Sequence, residues 1–207
     1  MHAPDGSGMP LFAFVLCHAD PTRGEAEFAP LVRWGEPVMA QVGPMPYEDV
    51  NMILDAGFPK GALNYWKSSF LTSFDDGLID TIVDRFAVCP SPMSGLVIER
   101  HQGQATRVGV SETAVAHRGP GFNSLIASIW TDPSTTEANI VWTKETYAVM
   151  SSSLGARRYV NYLDDDEGSD VVRAVYGPNY DRLVEVKRRW DPDNVFHMNQ
   201  NIPPYSA

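Results

Sequence analysis

Hydrophobic positions along the chain fall in short blocks rather than one long period. Residues 9–19 (MPLFAFVLCHA) form a near-continuous apolar run of strand length, which predicts a buried strand. Asp20 and Pro21 then supply an N-cap and a first helical residue, and Ala26, Phe28, Leu31 and Val32 give the following helix an apolar side, while Pro30 limits its length. Residues 36–42 (EPVMAQV) read as a second strand, and Pro44 and Pro46 separate it from a helix over 47–56 with Val50, Ile53 and Leu54 on one face. Residues 63–72 (LNYWKSSFLT) alternate strictly, with Tyr65, Lys67 and Ser69 on one face and Trp66, Ser68 and Phe70 on the other.

Asp75 and Asp76 open an amphipathic helix carrying Leu78, Ile79, Ile82, Val83 and Phe86, which Pro90 and Pro92 close. Residues 95–101 and 122–130 read as further strands, with a polar hairpin and a short run at 114–117 between them. Asp132 and Pro133 begin the longest helix, to about residue 152, with Ala138, Val141, Trp142 and Val149 as its apolar stripe. Residues 157–163 are a short β-type run, and the four acids at 164–167 suit a solvated loop. Ser169 and Asn179 stand at the starts of two brief helices, the second ending in the basic Lys187, Arg188 and Arg189. Pro192 disfavours a helical Asp191, so that helix stops near Trp190 and residues 190–204 follow as an extended strap. Strands joined partly by loops and partly by helices predict an α+β class: an antiparallel sheet covered by helices on one face, with a C-terminal helical segment and strap.

Composition narrows the partners. The 207 residues, 43% hydrophobic and 20% charged, suit one globular domain or one with an appendage. A net charge of −10 opposes nucleic acid and anionic membranes as partners. No apolar run approaches the ~20 residues of a bilayer span, and the first residues lack the parts of a signal peptide, so a cytoplasmic address is expected. Cys17 and Cys89 read as small buried hydrophobes, and the five histidines share no metal-ligand spacing. Gly6-Ser7-Gly8 and Gly119-Pro120-Gly121 lack the strand-turn-helix setting of a phosphate loop and read as turns.

Two features carry candidate chemistry. Lys67 stands between aromatics on an alternating strand, either snorkelling at a solvated edge or facing inward. Asn199, Gln200 and Asn201 make the strap either an Asn-rich terminal loop or a polar cover able to engage several heteroatoms of one ligand.

Tyr159-Val160-Asn161-Tyr162, then Tyr176-Gly177-Pro178-Asn179-Tyr180, Leu183, Lys187, Trp190-Asp191-Pro192-Asp193-Asn194-Val195-Phe196 and Asn199-Gln200-Asn201-Ile202-Pro203 follow one another in order. This series resembles the C-terminal berberine-bridge-enzyme-like segment of FAD-linked oxidases of the vanillyl-alcohol-oxidase type. Upstream, Ala3-Pro4-Asp5-Gly6, Gly43-Pro44-Met45-Pro46-Tyr47 and Tyr65-Trp66-Lys67-Ser68 are similar to the substrate domain of bacterial members. The resemblance implies a substrate-type α+β domain over 1–155 and a C-terminal segment over 156–207 that packs on a flavin domain. It also implies that the chain begins with the substrate domain, without a counterpart of the N-terminal FAD-binding domain.

The implied chemistry is oxidation of an alcohol or related small organic substrate by hydride transfer to FAD, with a base to accept the hydroxyl proton. By match to the family's Tyr-x-Asn motif, Tyr159 is that base and Asn161 a polar contact beside the flavin. Asn199 and Asn201 carry over as contacts of the flavin or of its immediate surroundings, and Tyr162 as packing beneath. Where plant members bring a lysine and a glutamine to the site, Asn123 and Leu125 stand here. Lys67 is then the candidate cation for holding Tyr159 as a phenolate, provided its strand face points inward. The implied partners are a small-molecule substrate and a flavin-domain chain or a second copy of this one. A non-catalytic small-molecule-binding or dimerisation module, and a remnant with only structural integrity, are the other readings.

Overall fold

The structure is a computed structural model that describes residues 1–3, 7–164 and 169–205. It divides into two compact units, residues 1–10 with 63–207, and residues 11–62.

The larger unit is built on three antiparallel strands, β1 (Leu63–Phe70), β2 (Gly95–His101) and β3 (Gly121–Trp130), in the order β1-β3-β2. The register sets Lys67 opposite Ile126 and Phe70 opposite Asn123 on one side of β3, and Leu96 opposite Ile126 and Glu99 opposite Asn123 on the other. Because strand side chains alternate, two faces follow from this register. One carries Tyr65, Lys67, Ser69, Ile126, Leu96 and Ile98, and the other carries Trp66, Ser68, Phe70, Asn123, Leu125 and Glu99.

Two helices cover the first face. In α3 (Asp76–Ala87), the Asp75 carboxylate accepts the Leu78 N–H as a cap, and Leu78 turns inward. In α4 (Thr136–Val149), Trp142 joins Leu71, Leu78, Ile126 and Met150 in the core. The inward side of α4 is otherwise polar, a difference from the expected apolar stripe: Asn139, Thr143 and Thr146 are buried, while Val141 and Val149 are exposed. These polar groups are paired, which offsets their desolvation. The Ser128 hydroxyl donates to Asn139 Oδ1, Asn139 Nδ2 donates to the Thr135 carbonyl, and Arg85 Nε donates to Thr146 Oγ1.

The outer edge of β1 is closed by the chain that follows α4. Thr72 N–H donates to Ser153 O, Gly155 N–H to Phe70 O and Phe70 N–H to Arg157 O. Covering an edge in this way satisfies backbone groups that would otherwise invite another strand. Beyond it lie α5 (Ser169–Tyr176) and α6 (Tyr180–Trp190), and α6 ends at Trp190 as expected.

The smaller unit contains α1 (Pro21–Val32) and α2 (Tyr47–Met52). Asp20 caps α1 as expected, its carboxylate accepting the Thr22 N–H at 2.9 Å. Residues 9–19 and 36–42, expected as strands, form none: Pro10 makes only an isolated bridge to His2, residues 11–19 and 36–42 have no strand pairing, and Phe12, Phe14, Val15, Val38 and Met39 are exposed. The physical reason is that an apolar run becomes a strand only beside a ladder partner, and none of the described residues forms a ladder with either run. Cys17 is exposed rather than buried, and Cys89 is half-buried. The helix expected over 47–56 ends at Met52, with a 3₁₀ turn at Asp55–Gly57. Residues 114–117 form no strand.

Residues 157–163 are not a strand either, since a 3₁₀ turn at Val160–Tyr162 ends the extended chain. Of the acids at 164–167, only Asp164 falls among the described residues, and Pro4, Asp5 and Gly6 lie outside them, as does the side chain of Ser169. Asn179 does not cap α6. Its amide instead donates to the carbonyls of Val110, Thr113 and Ala114, tying the C-terminal segment to a loop 65 to 69 residues upstream. Among the described residues, no helix is long and apolar enough to cross a membrane and no group of metal ligands is gathered.

Candidate functional site

The second face of the sheet receives the C-terminal segment. Two side chains of that segment anchor it: Asp164 Oδ2 accepts the Trp66 N–H at 3.2 Å, and the Tyr162 hydroxyl donates to Glu99 Oε1 at 2.7 Å. Leading into these anchors, the 3₁₀ turn at Val160–Tyr162 and the residue before it present Tyr159, Asn161 and Tyr162. The Asn161 amide donates to the Tyr159 hydroxyl oxygen at 2.9 Å. Tyr159 meets Tyr162 edge to face, with ring centroids 5.0 Å apart, and Tyr162 meets Trp66 edge to face at 6.2 Å. Tyr159 is half-buried and Asn161 exposed, so the hydroxyl and amide stand at the rim of this face while Tyr162 lies beneath them.

Glu99 is absent from the residues singled out in the sequence. The available signal is its position: an acid directly after the apolar Leu96-Val97-Ile98 of β2, on the face shared with Trp66 and Asn123. Its Oε2 accepts the Asn123 amide at 2.8 Å. Tyr162 is strongly biased to its protonated form, first by burial and then by donating to, and lying beside, the Glu99 carboxylate. Asn123 Oδ1 and Ser68 Oγ, on the same face, are buried without a hydrogen-bond partner.

Lys67 is not brought to Tyr159. Strand alternation puts it on the helix-covered face, where its Nζ lies 5.4 Å from the centre of the Tyr65 ring, with Lys144 Nζ at 5.5 Å from the same ring. Tyr159 approaches the opposite face through Tyr162 and Trp66. The donor that does reach the Tyr159 hydroxyl is the neutral amide of Asn161. Leu125 shares the Asn123 face and is buried.

The strap reaches this turn where Gln200 Nε2 donates to the Leu163 carbonyl at 3.4 Å. It is shaped by a knot at the end of α6: Lys187 Nζ donates to both Asp191 Oδ2 and the Phe196 carbonyl, and the Asp191 carboxylate accepts the N–H groups of Val195 (2.8 Å) and Phe196 (3.1 Å). Asn194 and Asn199 take left-handed backbone angles, φ 53° and 58°, a conformation asparagine tolerates better than most residues. Asn199 is exposed, and Asn201 Oδ1 is buried without a partner. The residues present therefore fit the polar ring of a flavin in kind: an unpaired carbonyl acceptor at Asn201, an exposed amide at Asn199, and a phenol and amide at the Tyr159 turn. A largely apolar groove of about 270 Å³ lies against the knot, lined by its Lys187, Asp191 and Phe196 and by Leu183, Val186, Trp190 and Ile202.

Beside Phe70 sits a basic aromatic cluster. His117, buried, lies 4.9 Å from the Phe70 ring and His101 lies 5.9 Å from it, while the Arg157 guanidinium lies 5.0 Å from the same ring. Burial holds the His117 imidazole below its ordinary range, and the charge of Arg157 adds to that.

Comparison with known proteins bears on this arrangement. Residues 158–203 match the family described as berberine and berberine like. An FAD-linked oxidoreductase of Dictyostelium discoideum is 23% identical over 88% of this chain and 40% of its own length. Berberine bridge enzyme-like 3 of Arabidopsis thaliana is 37% identical over 49% of this chain and 22% of its own. Among solved structures, berberine bridge enzyme from Eschscholzia californica aligns with a TM-score of 0.64 at 20% identity, over 72% of this chain and 34% of that one. The chain thus spans less than half the length of each of these relatives. Residues 158–203 match a berberine-like family, and over most of its length the chain is similar to an FAD-linked oxidoreductase and shares the fold of berberine bridge enzyme.

Proposed function

We propose that this chain forms the substrate-facing sheet and C-terminal segment of an FAD-dependent oxidoreductase that oxidises an alcohol or related small organic substrate. The observation that carries the reading is the turn at 159–162, where the berberine-like match coincides with a phenol and an amide hydrogen-bonded to each other at the rim of a sheet face. Bound FAD supplies a hydride acceptor.

Tyr159 takes the substrate hydroxyl proton on its phenolic oxygen, and Asn161, donating to that oxygen, stabilises the phenolate. Asn199 and Asn201 meet the polar edge of the flavin ring, Asn201 through its unpaired Oδ1. Lys67 has no part in this step, because it stands on the other face of β1. Asn123 and Leu125 line the substrate side without a positive charge. The flavin is held largely by a flavin domain, which packs on α6 and the strap, where Trp190, Phe196 and Met198 expose apolar side chains.

The test is retention of FAD. The chain alone is expected to lose added FAD on gel filtration. With a flavin domain supplied, in the same polypeptide or as a second chain, it retains one FAD and an alcohol substrate bleaches the flavin absorbance without oxygen. Stoichiometric FAD binding by the chain alone, or a flavin that no alcohol reduces, contradicts the reading.

A further inference from the structure

We propose that Glu99 is a positioning residue: its carboxylate holds Tyr162 in place and, through the ring of Tyr162, sets the position of Tyr159 at the rim of the sheet. The proposal rests on the reading of Tyr159 given above for its functional meaning, but its geometry stands separately.

Glu99 sits on β2, with Ile98 turned to the helix-covered face and packed on the core. Its two oxygens have separate tasks. Oε2 accepts the Asn123 amide from the neighbouring strand, which fixes the carboxylate plane, and Oε1 accepts the hydroxyl of Tyr162, 63 residues further along the chain. Bonds to an ionised acceptor are shorter and roughly twice as strong as neutral ones.

The turn needs such an anchor. Its own backbone bonds are Tyr162 N–H to Tyr159 O at 3.0 Å and Leu163 N–H to Val160 O at 3.4 Å, an i to i+3 pattern of poor geometry and low intrinsic stability. Tyr162 is therefore located by its side chain: the hydroxyl is tied to Glu99 and the ring sits edge to face against Trp66 on one hand and Tyr159 on the other. Without the carboxylate, a half-buried phenol loses its acceptor and the ring that backs Tyr159 is freed. The same bond, with burial, keeps the Tyr162 proton in place.

The experiment compares Glu99→Gln, Glu99→Leu, Tyr162→Phe and the double variant Glu99→Gln with Tyr162→Phe, all in the full chain. Ultraviolet difference absorbance at about pH 11, where an ordinary tyrosine is ionised, should show a larger ionised tyrosine fraction in Glu99→Gln than in the unaltered protein. The double variant should show no such gain over Tyr162→Phe alone. Backbone amides of residues 159–163 should exchange hydrogen about tenfold faster or more in Glu99→Leu, the ratio expected for losing a bond to a charged acceptor. Exchange in β3 should stay unchanged. If Glu99→Leu does not fold, the isosteric glutamine variant still decides through exchange of the same amides. Unchanged exchange at residues 159–163 in the folded Glu99 variants overturns the proposal whatever Tyr159 does. Faster exchange together with a Tyr159→Phe variant that reduces flavin normally leaves the positioning intact and removes the proposed function instead.

Discussion

Tyr159 accepts a hydrogen bond at its hydroxyl oxygen from Asn161, the contact that ties the amide to the proposed base. Asn161→Ala should therefore slow proton transfer in the flavin-loaded protein while leaving substrate affinity nearly as it is, a fall in kcat without a matching change in KM. An unchanged kcat would remove Asn161 from the mechanism. His117 makes a separate, pH-dependent prediction. Its imidazole is held below the ordinary value in the folded chain, by burial first and by Arg157 and His101 second, so the unfolded chain binds the proton more readily. The stability it contributes is fully present above the unfolded value of about 6.5 and is lost as pH falls through the folded one. Thermal melts between pH 7.5 and 5 should show a smaller loss of Tm for His117→Gln than for the unaltered chain, and parallel slopes would contradict this assignment.

The elements best anticipated from sequence are those whose signals are local. The alternation read over 63–72, the Asp75 cap before Leu78 and the proline beyond Trp190 each act within a few residues; the strand runs over Leu63–Phe70, two residues shorter than expected, and the cap and helix end stand where expected. Signals that need a distant partner misled. The apolar run after Met9 has strand composition but no ladder, α4 buries threonines because Ser128 and Arg85 reach them, and the Asn179 amide serves carbonyls of a distant loop rather than its own helix. Glu99 escaped for the same reason, since its meaning depends on Tyr162. Two predictions belong to the elements. Ile126→Ala, in the centre of β3 and almost fully buried, should destabilise the larger unit by about 2–5 kcal/mol in denaturant titration; a loss well under 1 kcal/mol would mean the helices do not press on this face. Asp191→Ala removes the acceptor of two strap amides and of Lys187, so residues 194–201 should exchange faster while β3 does not. Equal exchange would show that the strap keeps its shape without the knot.

At the level of the molecule, the outer surface of α6 and the strap leaves Trp190 74%, Phe196 81% and Met198 80% exposed, too much adjoining apolar side chain for a surface meant only for water. Light scattering on the chain alone should show self-association that Trp190→Ser with Phe196→Ser reduces and that an added flavin domain suppresses; a strictly monomeric chain would argue against a covered face here. On the proposed function, sheet, turn and strap together set Tyr159 against a substrate whose hydride leaves for the flavin. The most direct test is the rate at which an alcohol bleaches the flavin of the reconstituted protein under anaerobic stopped flow, with Tyr159 or with Tyr159→Phe. The expected result is a fall of about a hundredfold or more, the usual share of a general base, with the flavin still bound. A rate within twofold of the unaltered protein would contradict the role given to Tyr159 and to the face that holds it.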